Sequence, residues 1–304
     1  MNYYFYNIKT LLSQEKYFKG WGRKKTGRFA SYCHKKFGGT LTLLEDGFIR
    51  SIGLGVDGSP PFSLVEDNIG IYYDATTPSK LENILNTYDF TSDTSLMQTA
   101  REAMALINKY HISKYNNAPN IEDAFFKHDN KDKVLIIAQT AGDASLEYGL
   151  GNVFSTQQMI EDALQENPLS SVYIKIHPDV LSGKKQSDIT LSQLPKECII
   201  LKNDINPISL LKHFRKVYSK TSGMGMEALI LGLEVVCYGI PYYAGWGLTI
   251  DKQKCHRRKR ILTLEELFAG AYILYTTYYN PYTYTESTII DTIYEIKKQR
   301  KGKR

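Results

Sequence analysis

Four stretches of this sequence combine residue types that can bind an anion, carry negative charge to a reacting carbon or take up a proton. They are Glu45-Asp46-Gly47, Gln139-Thr-Ala-Gly-Asp143-Ala-Ser145, Lys175-Ile-His177-Pro178-Asp179 followed by Gly183-Lys184-Lys185, and Thr221-Ser222-Gly223-Met-Gly225. Asp143 reads either as the N-cap of a following helix or as a catalytic carboxylate. Glu45 and Asp46 read either as a solvated turn or as a general base for an incoming hydroxyl. His177 either ends a strand, since Pro178 cannot donate to the ladder, or presents an imidazole to a ligand. Thr221, Ser222 and Gly223 offer hydroxyls and unpaired N–H groups that suit a phosphate, or simply an ordinary cap; no Gly-Lys-Ser/Thr follows, so this is not a Walker loop. Arg23 and Arg50 can each present a guanidinium to a carboxylate or phosphate. There is no Asp-x-Asp and no His/Cys cluster, so neither a divalent metal nor another cofactor is expected.

Apolar periodicity says which elements must hold these stretches. In the first half, strands are expected at Tyr3–Ile8, Thr40–Leu44 and Ile69–Tyr73, with helices from about Arg28 to Phe37, from Pro78 to about Asn86, and over 91–114. Residues 116–133 are polar, carry Pro119 and read as a linker. The second half alternates more clearly. Strands are expected at Val134–Gln139, Val172–His177, Lys216–Ser219 and Glu234–Tyr238, with helices after Asp143 (to about Glu166), after Pro207 and over Met226–Leu231. Such alternation predicts a parallel sheet, so the loops carrying Asp143, His177 and Thr221 all leave carboxyl ends of strands and share one rim. Beyond Thr263 the pattern is helical with a tyrosine-rich interruption at Tyr272–Tyr284.

The chain's 304 residues suit two α/β domains, and 42% hydrophobic with 23% charged residues is the balance of a water-soluble globular protein. No window is apolar enough to span a bilayer and no signal peptide is visible, so a cytoplasmic location is expected. Cys33, Cys198, Cys237 and Cys255 have no metal-binding or disulfide spacing. The net charge of +6 is concentrated at Arg23–Lys25, Lys184–Lys185, Lys254–Arg260 and Lys297–Arg304. Such runs suit solvated surface, nucleic acid or anionic lipid; without a nucleic-acid-binding signature, no nucleic-acid partner is expected.

Six motifs in order carry a family resemblance: Gly20-Trp21-Gly-Arg23-Lys-Lys-Thr-Gly27, Leu44-Glu-Asp-Gly-Phe-Ile-Arg50-Ser51, Gly70-Ile-Tyr-Tyr-Asp74, the Gln139–Ser145 loop, Lys175–Asp179 with Gly183–Lys185, and Pro241-Tyr-Tyr-Ala-Gly-Trp-Gly-Leu-Thr249. The chain resembles the capsule polysaccharide β-Kdo transferases of the KpsC type, and most resembles their N-terminal module. That resemblance implies a GT-B-like α/β fold with two Rossmann-like domains, parallel sheets facing a central cleft, and C-terminal helices packed back on the first domain. The expected divisions are an acceptor-side domain at 1–115, a linker at 116–133, a CMP-sugar domain at 134–262 and a helical segment with a basic tail at 263–304. The implied reaction is retaining transfer of Kdo from CMP-Kdo, by β-(2→4) linkage, to a Kdo-terminated (lyso)phosphatidylglycerol acceptor. The implied nucleophile is Asp143, with Glu45 as base and Asp46 its rival. His177 would stabilise the leaving phosphate, and Lys175, Pro178, Lys184, Lys185, Thr221, Ser222, Gly223, Glu227, Gln139 and Arg50 would complete the donor site. Trp21, Arg23 and Asp74 fall on the acceptor side. A lipid acceptor would give the basic tail and the Tyr272–Tyr284 segment a role at the inner face of the inner membrane. The alternatives are a CMP-sialic acid transferase of similar plan and a non-catalytic glycolipid-binding module.

Overall fold

The computed structural model describes residues 2–122, 124–176, 180 and 194–302. In chain order the first half holds α1 (Tyr3–Thr10), β1 (Tyr17–Trp21), α2 (Lys25–Phe37), β2 (Thr40–Asp46), β3 (Ser63–Asp67), α3 (Lys80–Thr87) and α4 (Thr94–Tyr110). The second holds β4 (Lys133–Ile137), α5 (Ala144–Tyr148), α6 (Thr156–Glu166), β5 (Ser171–Lys175), β6 (Cys198–Leu201), α7 (Pro207–Leu211), β7 (Lys216–Ser219), α8 (Met224–Ile230), β8 (Glu234–Cys237) and β9 (Ile250–Asp251). The chain then forms α9 (Leu264–Phe268), a π-helical turn (Ala269–Leu274), the hairpin β10 (Thr276–Asn280) and β11 (Thr285–Ser287), and α10 (Ile289–Gly302).

The second sheet is wholly parallel, in the order β6-β5-β4-β7-β8-β9. Val134, Leu135, Ile136 and Ile137 of β4 are all buried, as a strand covered on both faces requires. Counted from β4 this is the doubly wound order 3-2-1-4-5-6, whose switch point lies between β4 and β7.

The first sheet runs β1-β2-β3-β10-β11 and is mixed. Only β1 and β2 are parallel; β3, β10 and β11 each join antiparallel. Its fourth strand comes from the far end of the chain, with Thr276 opposite Val65. The tyrosine-rich interruption is therefore a hairpin that completes the first sheet. Tyr3–Ile8, expected as a strand, is helical, because Asn2 caps the N–H groups of Tyr4 and Phe5. The buried Asn7 amide then pairs with the N–H and C=O of Lys19, so α1 covers the edge of β1. Ile69–Tyr73 is a turn organised by Asp67, whose carboxylate accepts from the N–H groups of Ile69, Gly70 and Lys80. The strand of that region is β3, just before it. The single helix expected after Asp143 is two, α5 and α6.

Among the described contacts that join the halves are an aromatic layer and a buried ion cluster. The ring of Phe48 lies 4.6 Å from that of Tyr242 and 4.9 Å from those of Tyr72 and Tyr272, in an aromatic layer drawn from both halves and the π turn. Beside it, Glu82 of α3, almost fully buried, meets Arg257 Nε at 2.6 Å and Arg258 Nε at 3.4 Å. Arg257 also donates to the carbonyls of Ala75 and Thr77, Arg258 to those of Pro241 and Ala244, and Arg260 to those of Leu85 and Tyr88. The arginines of the Lys254–Arg260 run are thus turned inward. At the C-terminus α10 packs on α4, with Lys297 over the Tyr110 ring at 3.9 Å and Arg300 donating to the carbonyls of Tyr110 and His111.

Replacing Glu82 by Ala removes the partner of two guanidiniums, one of them wholly enclosed. Urea denaturation is expected to show a loss of about 3–5 kcal/mol, with Glu82→Gln intermediate.

Candidate active site

The rim of the second sheet is built at its switch point. The Gln139 side chain accepts from the Thr221 N–H at 2.8 Å and donates to the Thr221 hydroxyl at 3.0 Å, which lies 3.0 Å from the Ser145 hydroxyl. Three polar side chains thereby lock the loops after β4 and β7 together across the crevice. Asp143 is the N-cap of α5, accepting from the Ser145 N–H at 2.9 Å, and is solvent-exposed. The capping geometry and an accessible carboxylate coexist. Ser222 accepts from the Met224 N–H and, through its carbonyl, from the Tyr243 hydroxyl, while Gly223 has open space where a side chain would stand. Lys175 ends β5 beside the Asn203 carbonyl; burial pushes its ammonium pKa down, with Asp204 opposing. His177, Pro178, Lys184 and Lys185 lie outside the described residues.

Across the crevice, Glu45 and Asp46 end β2 and part company. Asp46 Oδ1 lies 3.0 Å from Arg50 Nε, off the line of the N–H, in an ion pair. Arg50 is 8% exposed, donates to the Ser51 hydroxyl and the Ser59 carbonyl, and is walled in where Gly55 leaves no room for a Cβ. Its guanidinium is occupied within its own loop. Glu45 accepts from the Asp46 N–H through Oε1, and its Oε2 borders Gly22 and the Tyr73 hydroxyl. At Gly22, φ is +34° and a Cβ would collide with that hydroxyl, so glycine is required both for conformation and for approach. Burial first, and then the nearby Glu45 carboxylate, push the phenol pKa values of Tyr72 and Tyr73 up.

Arg23 and Asp74 are brought together: Arg23 Nε lies 2.6 Å from Asp74 Oδ2, and its Nη2 donates to the Thr77 hydroxyl at 2.9 Å. The same guanidinium sits 5.8 Å over the Tyr148 ring of α5, and the Ala75 N–H donates to the Tyr148 carbonyl at 2.9 Å. This joins the acceptor-side loop to the short helix that Asp143 caps. Trp21 is half-buried under Lys24, whose ammonium is 5.6 Å from the ring. Glu227, grouped with the rim residues by sequence, is buried in α8, where its carboxyl accepts from the Ser113 hydroxyl at 2.5 Å. Sequence patterns do not single out Ser145, Tyr73 or Tyr148. All three sit inside or beside the motifs named above, and none advertises a role by residue type.

A family model described as capsule polysaccharide biosynthesis protein matches residues 19–280, which include most of β1 and every strand from β2 to β10. The chain belongs to this family. Capsule polysaccharide modification protein LipA of Neisseria meningitidis serogroup A is 42% identical over 282 residues, covering 90% of this chain and 40% of that protein. Lipopolysaccharide-processing protein LpsZ of Rhizobium meliloti is 38% identical over 238 residues, covering 78% of this chain and 54% of that protein. The chain thus spans only 40% and 54% of the lengths of these relatives. Among solved structures, Thermosulfurimonas dismutans KpsC, β-Kdo 2,4 transferase, superposes with a TM-score of 0.86 at 43% identity, covering 92% of this chain and 86% of that one. The β-Kdo 2,7 transferase of the same KpsC gives 0.70 at 30% identity, covering 94% and 86%. The two-sheet plan about a central cleft is therefore that of the GT-B-like KpsC structures, the first sheet here being mixed.

Burial pushes the Glu227 carboxyl up to about 7, with Ser113 and the Lys114 N–H opposing. A carboxyl protonated in the folded protein but ionised in the unfolded chain contributes stability at low pH. That contribution is fully present below the unfolded value near ~4.3 and is lost as pH rises through about 7. The urea midpoint is expected to fall between about pH 5 and about pH 8, and Glu227→Gln, which keeps the neutral form, is expected to flatten that slope.

Proposed function

We propose that the chain is a retaining β-Kdo glycosyltransferase that moves Kdo from CMP-Kdo to a Kdo-terminated, lipid-linked acceptor through a β-(2→4) bond, in capsule polysaccharide biosynthesis. The observation that carries this reading is the gradient of similarity: 43% identity and a TM-score of 0.86 to a β-Kdo 2,4 transferase, against 30% and 0.70 to a β-Kdo 2,7 transferase. Acidic groups on both walls of one crevice, with the hydroxyls of Ser145, Thr221 and Ser222 between them, support it chemically.

In the proposed mechanism a carboxylate oxygen of Asp143 attacks C2 of Kdo. The C2–O bond to phosphate breaks, and CMP leaves with the electron pair, its charge met by Lys175, His177 and the Thr221-Ser222-Gly223 turn. Glu45 then takes the proton of the acceptor hydroxyl, whose oxygen attacks C2 and releases Asp143; two inversions give net retention. Glu45 is preferred to Asp46 as base because Asp46 is already paired with Arg50. Arg50 is left out of donor binding, because its guanidinium is enclosed by its own loop. The CMP phosphate is a good leaving group, so the scheme draws on side chains and the Gly223 turn without calling on a metal ion.

Glu45→Gln is expected to lower kcat by roughly 100- to 10,000-fold with folding unchanged. Asp46→Asn is expected to lower stability first, by leaving Arg50 unpaired. Product NMR from CMP-Kdo and a synthetic Kdo-terminated acceptor checks the linkage and the anomeric outcome. An α-linked product, or turnover of CMP-sialic acid in place of CMP-Kdo, sinks the reading. Asp143→Ala is expected to bring transfer to background, and mass spectrometry of a slowed variant such as Glu45→Gln with CMP-Kdo alone should find Kdo on Asp143.

A further inference from the structure

Positive charge is distributed unevenly along the chain. The first 40 residues hold nine basic side chains against one acid, Glu15, a net +8 where the whole chain carries +6. Of these, Lys19 is paired with Glu66 and Arg23 with Asp74. Lys9, Lys25, Arg28, Lys35 and Lys36 are exposed on α1 and α2.

The same two helices expose large apolar side chains. With Asn7 of α1 turned to the sheet edge, Phe5 and Ile8 fall on the opposite side at the helical period, and Leu12 follows in the next turn. They are 68%, 53% and 91% exposed, respectively. The Tyr4 ring of α1 rests 5.4 Å from Phe29 of α2, so the apolar stripe adjoins the α2 face bearing Arg28 and the 57%-exposed Tyr32. Lys36 lies over both Tyr32 and Phe37, which pairs aromatic and cationic groups as at a membrane interface.

We infer that the α1–α2 flank is a docking surface for an anionic phospholipid bilayer, with Phe5, Ile8 and Leu12 entering the headgroup region and the surrounding lysines meeting lipid phosphates. Charge complementarity selects the occupant: the flank combines an apolar stripe with a strong excess of one sign, which a bilayer carrying acidic headgroups matches. Lys297 and Arg300, toward the other end of the chain, are instead packed against α4. The inference rests on this surface and does not depend on the transfer reaction, although a lipid-linked acceptor would be met at such a surface.

Vesicle flotation tests it with the whole chain. Binding to phosphatidylcholine–phosphatidylglycerol vesicles is expected, with little to phosphatidylcholine alone, and added salt should weaken it. Lys35→Glu and Lys36→Glu should each weaken it by about fivefold or more. The double variant Phe5→Ser, Leu12→Ser should abolish flotation, while Lys298→Glu should leave it intact. Unchanged circular dichroism shows that the variants fold, and unchanged turnover of a water-soluble acceptor separates docking from catalysis. Equal binding to neutral and acidic vesicles, or binding that survives both sets of substitutions, overturns the inference. So does a dimer in sedimentation that the Phe5/Leu12 variant dissolves, because a second copy would then cover the flank. An absence of transfer with vesicle binding intact would count against the proposed reaction alone.

Discussion

The geometry of the crevice depends on how a buried carboxylate and two arginines hold two sheets at a fixed separation. Glu82 stands on the first half; Arg257 and Arg258 come from a segment that has just left the second sheet. Taking these charges out of water is costly, and their mutual attraction offsets the cost only if the remaining donors are also used. They are: the guanidiniums spread over the carbonyls of Ala75, Thr77, Pro241 and Ala244, which belong to loops from both halves. A hydrophobic contact alone would let the halves slide. A forked guanidinium held by several acceptors fixes register, and the aromatic layer of Phe48, Tyr72, Tyr242 and Tyr272 supplies the apolar burial beside it.

With the separation fixed, each wall of the crevice is set by short-range contacts. On one side Gln139, Ser145 and Thr221 tie two loops across the switch point, so the turn before α8 and the cap of α5 move as one. On the other, Gly22 lets the β1–α2 loop close on Tyr73 and Glu45. Arg23 bridges the walls by pairing with Asp74 while lying over Tyr148. A guanidinium committed in this way is a positioning group. That separates it from the role its charge suggests in the sequence.

The second half was legible because its strands are short apolar runs divided by turn residues, and a parallel sheet places their outgoing loops on one edge whatever the side chains do. The rim carrying Gln139, Asp143 and Thr221 follows from topology alone. Less of the first half could be read, for two reasons. Its sheet is completed by a hairpin from the far end of the chain, a pairing with no local signal. And Tyr3–Ile8, rich in aromatics, has β-propensity that a capping Asn2 and the docking of Asn7 on β1 override. At the site, sequence could place Glu45 and Asp46 at a strand end. Which of them is held by Arg50 is decided by side-chain direction, and adjacent positions on a strand point to opposite faces.

Residue type, more than charge, separates the basic runs. Arg23, Arg50, Arg257, Arg258, Arg260 and Arg300 all donate to carboxylates, hydroxyls or backbone carbonyls within the fold. Lys9, Lys24, Lys25, Lys35 and Lys36 stand in solvent. The guanidinium is planar and weakly hydrated, so it gives up water readily and satisfies several acceptors in one plane. The ammonium is a compact ion that keeps its water. Arg28 and Arg101 are exposed, so the sorting is a tendency. It nevertheless explains why Lys254–Arg260, which reads as a surface patch, is drawn into the joint between the sheets through its arginines, while the lysine-rich opening of the chain remains outward. Net charge sums both kinds, and only the pairing and exposure of each side chain show that the lysine flank of the first half faces outward.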